Sequence, residues 1–272
     1  MQPSANMIDI ITSRMLEDFS KAIELNPDNS NAYYDRALLK SSRLQDYKGA
    51  VEDYGRAIEL NPLHSMAHSN RGVLKEDEYH DYQGALADFN RAIEIDPSDV
   101  IAYNNRASLK SDRLQDYEGA LADFKRVIEI DPNNERAYIN RGGLRYQSLQ
   151  DYYGALADYN LAIELNPNCV VAYTNRGYLK QENLKDYEGA MADYNRAIEI
   201  EPNHAFGYSN RGDLRRILGD RAEAEVDARE AARLFLEQGD TKRYQLAIDW
   251  LGEYGRQSMG DHIRAGFAKF FS

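Results

Sequence analysis

Apolar positions recur along this chain with two periods at once, a short one set by helix geometry and a long one of 35 residues. In the segment AYNNRASLKSDRLQDYEGALADFKRVIEIDPNN, which begins at Ala102, the residues Ala120, Leu121, Phe124, Val127 and Ile128 stand at offsets 0, 1, 4, 7 and 8. That spacing gathers the apolar side chains on one face of an α-helix and leaves the polar ones on the other. The next segment, AYINRGGLRYQSLQDYYGALADYNLAIELNPNC, repeats the arrangement from Ala137. Sliding the sequence along itself places units at Ala32, Ala67, Ala102, Ala137 and Ala172, and a sixth, one residue shorter, at Gly207.

Each unit divides into two helices. Six of the seven prolines, Pro27, Pro62, Pro97, Pro132, Pro167 and Pro202, fall just after the apolar stripe. Proline cannot continue a helix and biases the residue before it away from the α region, so it closes helix B of one unit and sets up helix A of the next. Within a unit the two helices are separated by a short turn such as Leu114-Gln115-Asp116. Asp46, Asp81, Asp116, Asp151, Asp186 and Asp220 stand where an N-cap of helix B is needed. The ends differ from the middle, as they must where terminal units close an open stack. Residues 1–31 read as a half repeat, a helix B without a helix A, in which Ile8, Ile11, Met15, Phe19 and Ile23 predict one long helix starting upstream. Residues 32–238 hold the six full units. Residues 239–272 read as capping helices, with Tyr244, Ala247, Ile248 and Leu251 at helical spacing over 241–254.

Tyr103, Ala107, Ala120, Phe124 and Pro132 follow the order of aromatic, small residue, alanine, aromatic and closing proline that marks a tetratricopeptide repeat. The equivalent positions of neighbouring units do the same, so residues 15–238 resemble the tetratricopeptide repeat family. The Asn-Arg-Gly runs at 70–72, 140–142, 175–177 and 210–212 look similar to bacterial tandem members. The resemblance implies an all-α fold, a right-handed superhelical solenoid of antiparallel helix pairs, with a concave groove that holds a peptide or protein partner. Two departures stand out. Five units carry an extra residue in the turn, and Arg106 and Lys110, with their equivalents, occupy positions where the family usually has Leu and Tyr.

Two sets of polar residues recur on the long period. Arg36, Arg71, Arg106, Arg141, Arg176 and Arg211 in helix A are matched by Asp53, Asp88, Asp123, Asp158, Asp193 and Asp227 in helix B. They are expected to pair as a structural ladder. The second set is Asn70, Asn105, Asn140, Asn175 and Asn210, with Asp35 in the first unit. The resemblance implies that this helix A position faces the groove, and in some family members such asparagines grip a peptide backbone. An amide suits that task because it offers a donor and an acceptor together. Bridging of neighbouring helices is the alternative role. The groove-lining positions of the family are filled here by Asn31, Tyr34 and Leu38; Met66, Ser69 and Val73; Ile101, Asn104 and Ser108; Arg136, Ile139 and Gly143; Val171, Thr174 and Tyr178; Phe206, Ser209 and Asp213. Only Arg136 and Asp213 among them are charged, although 29% of the chain is, and loss of charge with retained apolar residues is the composition of an interface core. No lysine stands among these positions, so the clamp that some family members use for an acidic chaperone tail is not expected. Lys40, Lys75, Lys110 and Lys180 are expected to cover apolar surface with their stems.

Charge and rarer residues narrow the function further. A net charge of -12 opposes a surface that tracks nucleic-acid phosphates. The single cysteine, Cys169, is read as a buried thiol, and the N-terminal residues lack the basic and apolar regions of a secretion signal. No apolar run approaches the roughly 18 residues of a membrane span, so a soluble cytoplasmic protein without a membrane is expected. His64 and His68 have metal-compatible spacing but no third ligand nearby, and no metal or cofactor is expected. Catalytic and phosphate-binding motifs are lacking, so no enzyme is expected. In the last stretch Ile263, Phe267, Phe270 and Phe271 share a face apart from Arg264 and Lys269, which suits either a second cap within 258–272 or docking elsewhere. The leading expectation is a module binding an extended peptide or protein segment, acting as an assembly adaptor. The alternative is a scaffold that associates with itself through its N-terminal half repeat.

Overall fold

The computed structural model describes residues 5–251, with side chains from residue 10. The residues expected to continue the cap to 254, and the segment 258–272, lie outside the described residues. Among those described there are helices and turns and no strand. The helices are α1 (Ala5–Leu25), α2 (Ser30–Leu39), α3 (Tyr47–Leu60), α4 (Ser65–Asp77), α5 (Tyr82–Ile95), α6 (Val100–Asp112), α7 (Tyr117–Ile130), α8 (Glu135–Gln147), α9 (Tyr152–Leu165), α10 (Val170–Leu179), α11 (Tyr187–Ile200), α12 (Ala205–Leu218) and α13 (Arg221–Glu237). Residues 241–251 form α14. The even-numbered helices through α12 are the A helices, and each packs against the B helix that follows it. The chain divides into two compact units, Met1–Ala137 and Tyr138–Ser272. The same construction is found in each.

Helix ends show why the period is 35. Each of Asp46, Asp81, Asp116, Asp151 and Asp186 accepts a hydrogen bond from the backbone N–H three residues on, at 2.9–3.0 Å, and Asp220 does so at 3.4 Å. These contacts satisfy donors that the first helical turn leaves open. At the other end of helix A the chain widens. In α2 and α10 the last turn is π-helical, over Lys40–Leu44 and Lys180–Leu184. Gln45, His80, Gln115, Gln150 and Lys185 then adopt left-handed backbone with φ of 53–56°. The following aspartate N–H reaches back to the carbonyl six residues earlier, as Asp116 does to Lys110 at 2.9 Å. In the shorter last repeat Gly219 takes the left-handed position, and Asp220 reaches only five residues back, to Arg215. That is the ordinary glycine-terminated helix end. The extra residue of the other repeats is therefore absorbed in one wide turn.

The core of each pair but the last is a small residue of helix A under an aromatic of helix B. In the first unit Ala37 and Tyr54 share a buried cluster, and Gly72 meets Phe89. In the second unit Gly142 meets Tyr159 and Gly177 meets Tyr194. A Cβ built on Gly177 would lie 2.7 Å from the Tyr194 ring, closer than two carbons approach. Tyr54, Phe89, Tyr159 and Tyr194 are all essentially inaccessible. In the last pair Ala228 stands where the others have an aromatic. α1 is one continuous helix, with Ile23 buried and Phe19 half-buried, while Ile11 and Met15 remain 49% and 41% exposed.

Two glycines of helix A separate these effects. Gly177→Ala should lower stability by about 1–3 kcal/mol, because the fixed Tyr194 ring must move. Gly143→Ala places its Cβ in open space and should raise stability by about 0.5–1 kcal/mol through helix propensity. Urea unfolding of both variants measures the two signs.

Candidate functional site

Helix A sorts its side chains between the partner helix and the surface. On the inner side each ladder arginine holds the aspartate of its own helix B with two donors. Arg106 Nε and Nη2 lie 2.9 and 2.6 Å from the Asp123 oxygens. Arg36 with Asp53, Arg71 with Asp88, Arg141 with Asp158, Arg176 with Asp193 and Arg211 with Asp227 repeat this two-donor contact. Paired geometry of this kind is the strong form of an ion pair. The aspartate side chains are at most 7% exposed.

Each carboxylate has a second cation. Lys40, Lys75, Lys110, Arg145, Lys180 and Arg215 approach the same aspartates at 2.6–2.9 Å and also reach a carbonyl in the first turn of helix B. The lysines thus act through their ammonium groups, not only through the stems that the sequence reading emphasised. A buried aspartate needs both lone-pair directions of both oxygens satisfied, and one guanidinium leaves part of that need open. A third contact links successive pairs. Arg106, Arg176 and Arg211 donate Nη1 to Asn90, Asn160 and Asn195 of the preceding helix B at 2.7 Å. These asparagines recur in register with the arginines, a signal present in the sequence. Tyr33, Tyr103, Tyr138, Tyr173 and Tyr208 complete the setting, each ring 5.4–5.6 Å from the guanidinium carbon of its arginine.

In the second repeat His68 replaces the tyrosine. Its Nδ1 lies 3.5 Å from Asp88, and its Nε2 lies 3.3 Å from the Pro62 carbonyl. Burial alone would raise the Asp88 carboxyl, but His68, Arg71 and Lys75 outweigh it and hold the group well below the usual carboxylate range. His64 is an N-cap: its Nδ1 accepts from the Ala67 N–H at 3.3 Å, and burial lowers its pKa. The Cys169 thiol is buried.

The outer side of helix A carries the second set. In the first unit Asn70 and Asn105 are half-buried, and Met66 and Ile101, one turn before them, are 57% and 68% exposed. Asn70 Nδ2 donates to the Tyr34 hydroxyl at 3.3 Å. In the second unit Asn140, Asn175 and Asn210 are half-buried and follow Arg136, Val171 and Phe206 by one turn. Ile139 is half-buried and Tyr178 is exposed. Residues four apart share a helix face, so each amide lies beside an open side chain. Among the described residues, the side-chain amides of Asn105, Asn140, Asn175 and Asn210 make no hydrogen bond. Ser69 and Thr174, two of the expected lining residues, are buried instead.

The comparisons with known proteins concern this same stretch. Four tetratricopeptide repeat models match the chain, one at 19–52, one at 42–100, one at 113–148 and one at both 135–169 and 170–204, together more than half of its length. The chain belongs to the tetratricopeptide repeat family. Among solved structures, YrrB, described as a TPR protein with an unusual peptide-binding site, is 23% identical over 71% of this chain and 96% of its own, with a TM-score of 0.56. PilF of Pseudomonas aeruginosa is 19% identical over 80% and 96%, with a TM-score of 0.65. A tetratricopeptide repeat protein from Parabacteroides merdae is 24% identical over 82% and 93%, with a TM-score of 0.61. At these identities the likeness is one of fold. No curated protein matches. Tetratricopeptide repeats are generally non-catalytic modules of protein–protein interaction, and this chain carries them. Among the described residues no helix is long and apolar enough to cross a membrane, and no group of three metal-ligating side chains converges.

The buried ion pairs make a directional test. Arg106→Ala leaves Asp123 with Lys110 alone and should cost about 3–5 kcal/mol of folding free energy. Lys110→Met, which keeps the stem and leaves the two-donor arginine contact in place, should cost less. Thermal melts of both variants order the two cations, and an unchanged melt for Arg106→Ala would overturn the structural role.

Proposed function

We propose that this tetratricopeptide protein is a non-catalytic binding module that holds an extended peptide or protein segment along the outer face of its A helices, in the manner of an assembly adaptor. The observation that carries this reading is the row of half-buried amides without hydrogen-bond partners, each beside an exposed apolar or basic side chain. An extended strand presents alternating N–H and C=O groups, and an amide can answer either one. Each such bond contributes about 0.5–1.5 kcal/mol net, so a single asparagine does little and several together select an extended backbone. Met66, Ile101, Ile139, Val171, Tyr178 and Phe206 supply the apolar contacts, and Arg136 is the charged exception. YrrB, a protein of this fold, is described as having an unusual peptide-binding site, which supports the same use here. The acidic composition opposes nucleic acid as the partner.

A second reading has its own observation. Ile11 and Met15 of α1, with Leu38 and Leu39 of α2, line an apolar cavity of about 430 Å³. Exposed apolar surface of this kind suits a second copy of the chain. Sedimentation across a wide concentration range should show association if that reading holds, and a monomer throughout eliminates it.

The binding reading is tested by capture from the native lysate with the wild type and with a variant carrying Asn105→Ala, Asn140→Ala and Asn175→Ala. The variant should melt at the wild-type temperature and recover markedly less partner. Equal recovery from an equally stable variant refutes the role of the amides.

A further inference from the structure

The last repeat departs from the others at one position with a large steric effect. Tyr54, Phe89, Phe124, Tyr159 and Tyr194 fill the space between paired helices, whereas the sixth pair has Ala228 there, facing Gly212. Removing a ring from a close-packed layer leaves a void unless neighbours collapse into it. Ala228 instead lines an open cavity of about 440 Å³ between α12, α13 and α14, within the roughly 300–1,000 Å³ of ligand pockets. Its apolar walls include Phe206, Phe235, Leu246 and Trp250, and its polar groups are Ser209, Asn210, Asp213 and Arg243. Phe206 and Phe235 meet edge to face with centroids 5.4 Å apart, which fixes one wall.

The charges around this cavity are unequal. Arg243 lies over the Phe206 ring at 4.8 Å and is paired with Asp240, so its charge is already matched. Among the described residues, Asp213 has one cation contact, a loose one with Arg216 at 3.9 Å, and keeps 45% of its side chain exposed. Burial raises the Asp213 carboxyl above its ordinary value; Arg216 opposes this, Glu182 adds to it, and Trp250 donates a hydrogen bond that opposes it. Among the described residues the group is a carboxylate without a close cation, beside an aromatic cavity.

We infer that this cavity is a specificity pocket for a lysine or arginine side chain of a bound peptide. This rests on the peptide-binding reading and names one residue of the ligand. The stem of a basic side chain lies against Leu246 and the Trp250 indole, its cationic head meets Asp213 with Glu182 beyond, and Asn210 takes the peptide backbone beside it. Aromatic walls favour a cation over a neutral side chain of equal length. An acidic side chain is repelled by the same carboxylates.

Trp250 is the single tryptophan of the chain, so its emission reports on this cavity alone. The probes are three acetylated, amidated pentapeptides, Ala-Leu-X-Leu-Ala, with lysine, norleucine or glutamate at X. At low salt the lysine peptide should change Trp250 emission saturably, with an apparent Kd at least about tenfold below that of norleucine, and the glutamate peptide should bind weakest. Asp213→Asn should bring the lysine peptide to the norleucine value. Ala228→Phe, which restores the ring of the other repeats and narrows the cavity, should abolish the response. Equal affinity of the lysine and norleucine peptides, no emission change with any peptide, or full lysine affinity in Asp213→Asn or Ala228→Phe overturns the pocket. Those results leave the asparagine row to its own capture experiment, so the two readings fail separately.

Discussion

Everything in this structure is arranged around a carboxylate that helix B buries and helix A must neutralise. An aspartate at most 7% exposed cannot keep its charge unless donors surround it. The arginine fork supplies two, the lysine or arginine one turn later supplies a third, and the tyrosine ring covers the guanidinium from the side. This fixes the rotation of helix A about its own axis, because two residues four apart must both face the same aspartate. Once that rotation is set, the small residue between them necessarily faces the helix B aromatic, and the asparagine before the arginine necessarily turns outward. The outward row of asparagines is thus a by-product of the ion-pair geometry.

The same logic explains how the repeats are joined. A bidentate arginine has one nitrogen left over, and in Arg106, Arg176 and Arg211 it points to an asparagine of the preceding pair. One side chain therefore binds helix A to its own partner and to the pair before it. An ion pair isolated in a core is weak support for stability, but here it specifies which faces meet. The wide turn after helix A serves that register. It adds one residue without moving the aspartate N-cap away from the first turn of helix B.

Much of this was legible before any coordinates. The helices, their order and the breaks between them follow from the apolar stripe, the periodic prolines and the capping aspartates, since each of those acts locally. The arginine and aspartate rows are visible as equal spacings, though spacing alone does not show two donors per carboxylate. The second cation was misjudged because a lysine stem and a lysine head make opposite demands, and only the distance to Asp53 or Asp123 decides between them. Burial of Ser69 and Thr174 was likewise hidden, because it depends on how the next repeat leans on helix A. The cavity at the last repeat had a sequence signal in Ala228, a break in an aromatic column. Its size depends on where Phe206, Phe235 and Trp250 settle, which no pattern states.

The ladder has a further electrostatic meaning. Each buried aspartate is matched by two cations, so every repeat carries one excess positive charge inside its helix pair, close to the axis along which the helices meet. The net charge of -12 already includes that inner positive column. The surface that an approaching partner encounters is therefore more acidic than the total suggests, with the compensating charge held where solvent ions reach it least. The field outside the molecule is that of a net acidic body, and dissolved salt screens it more than it screens the ion pairs held between the helices.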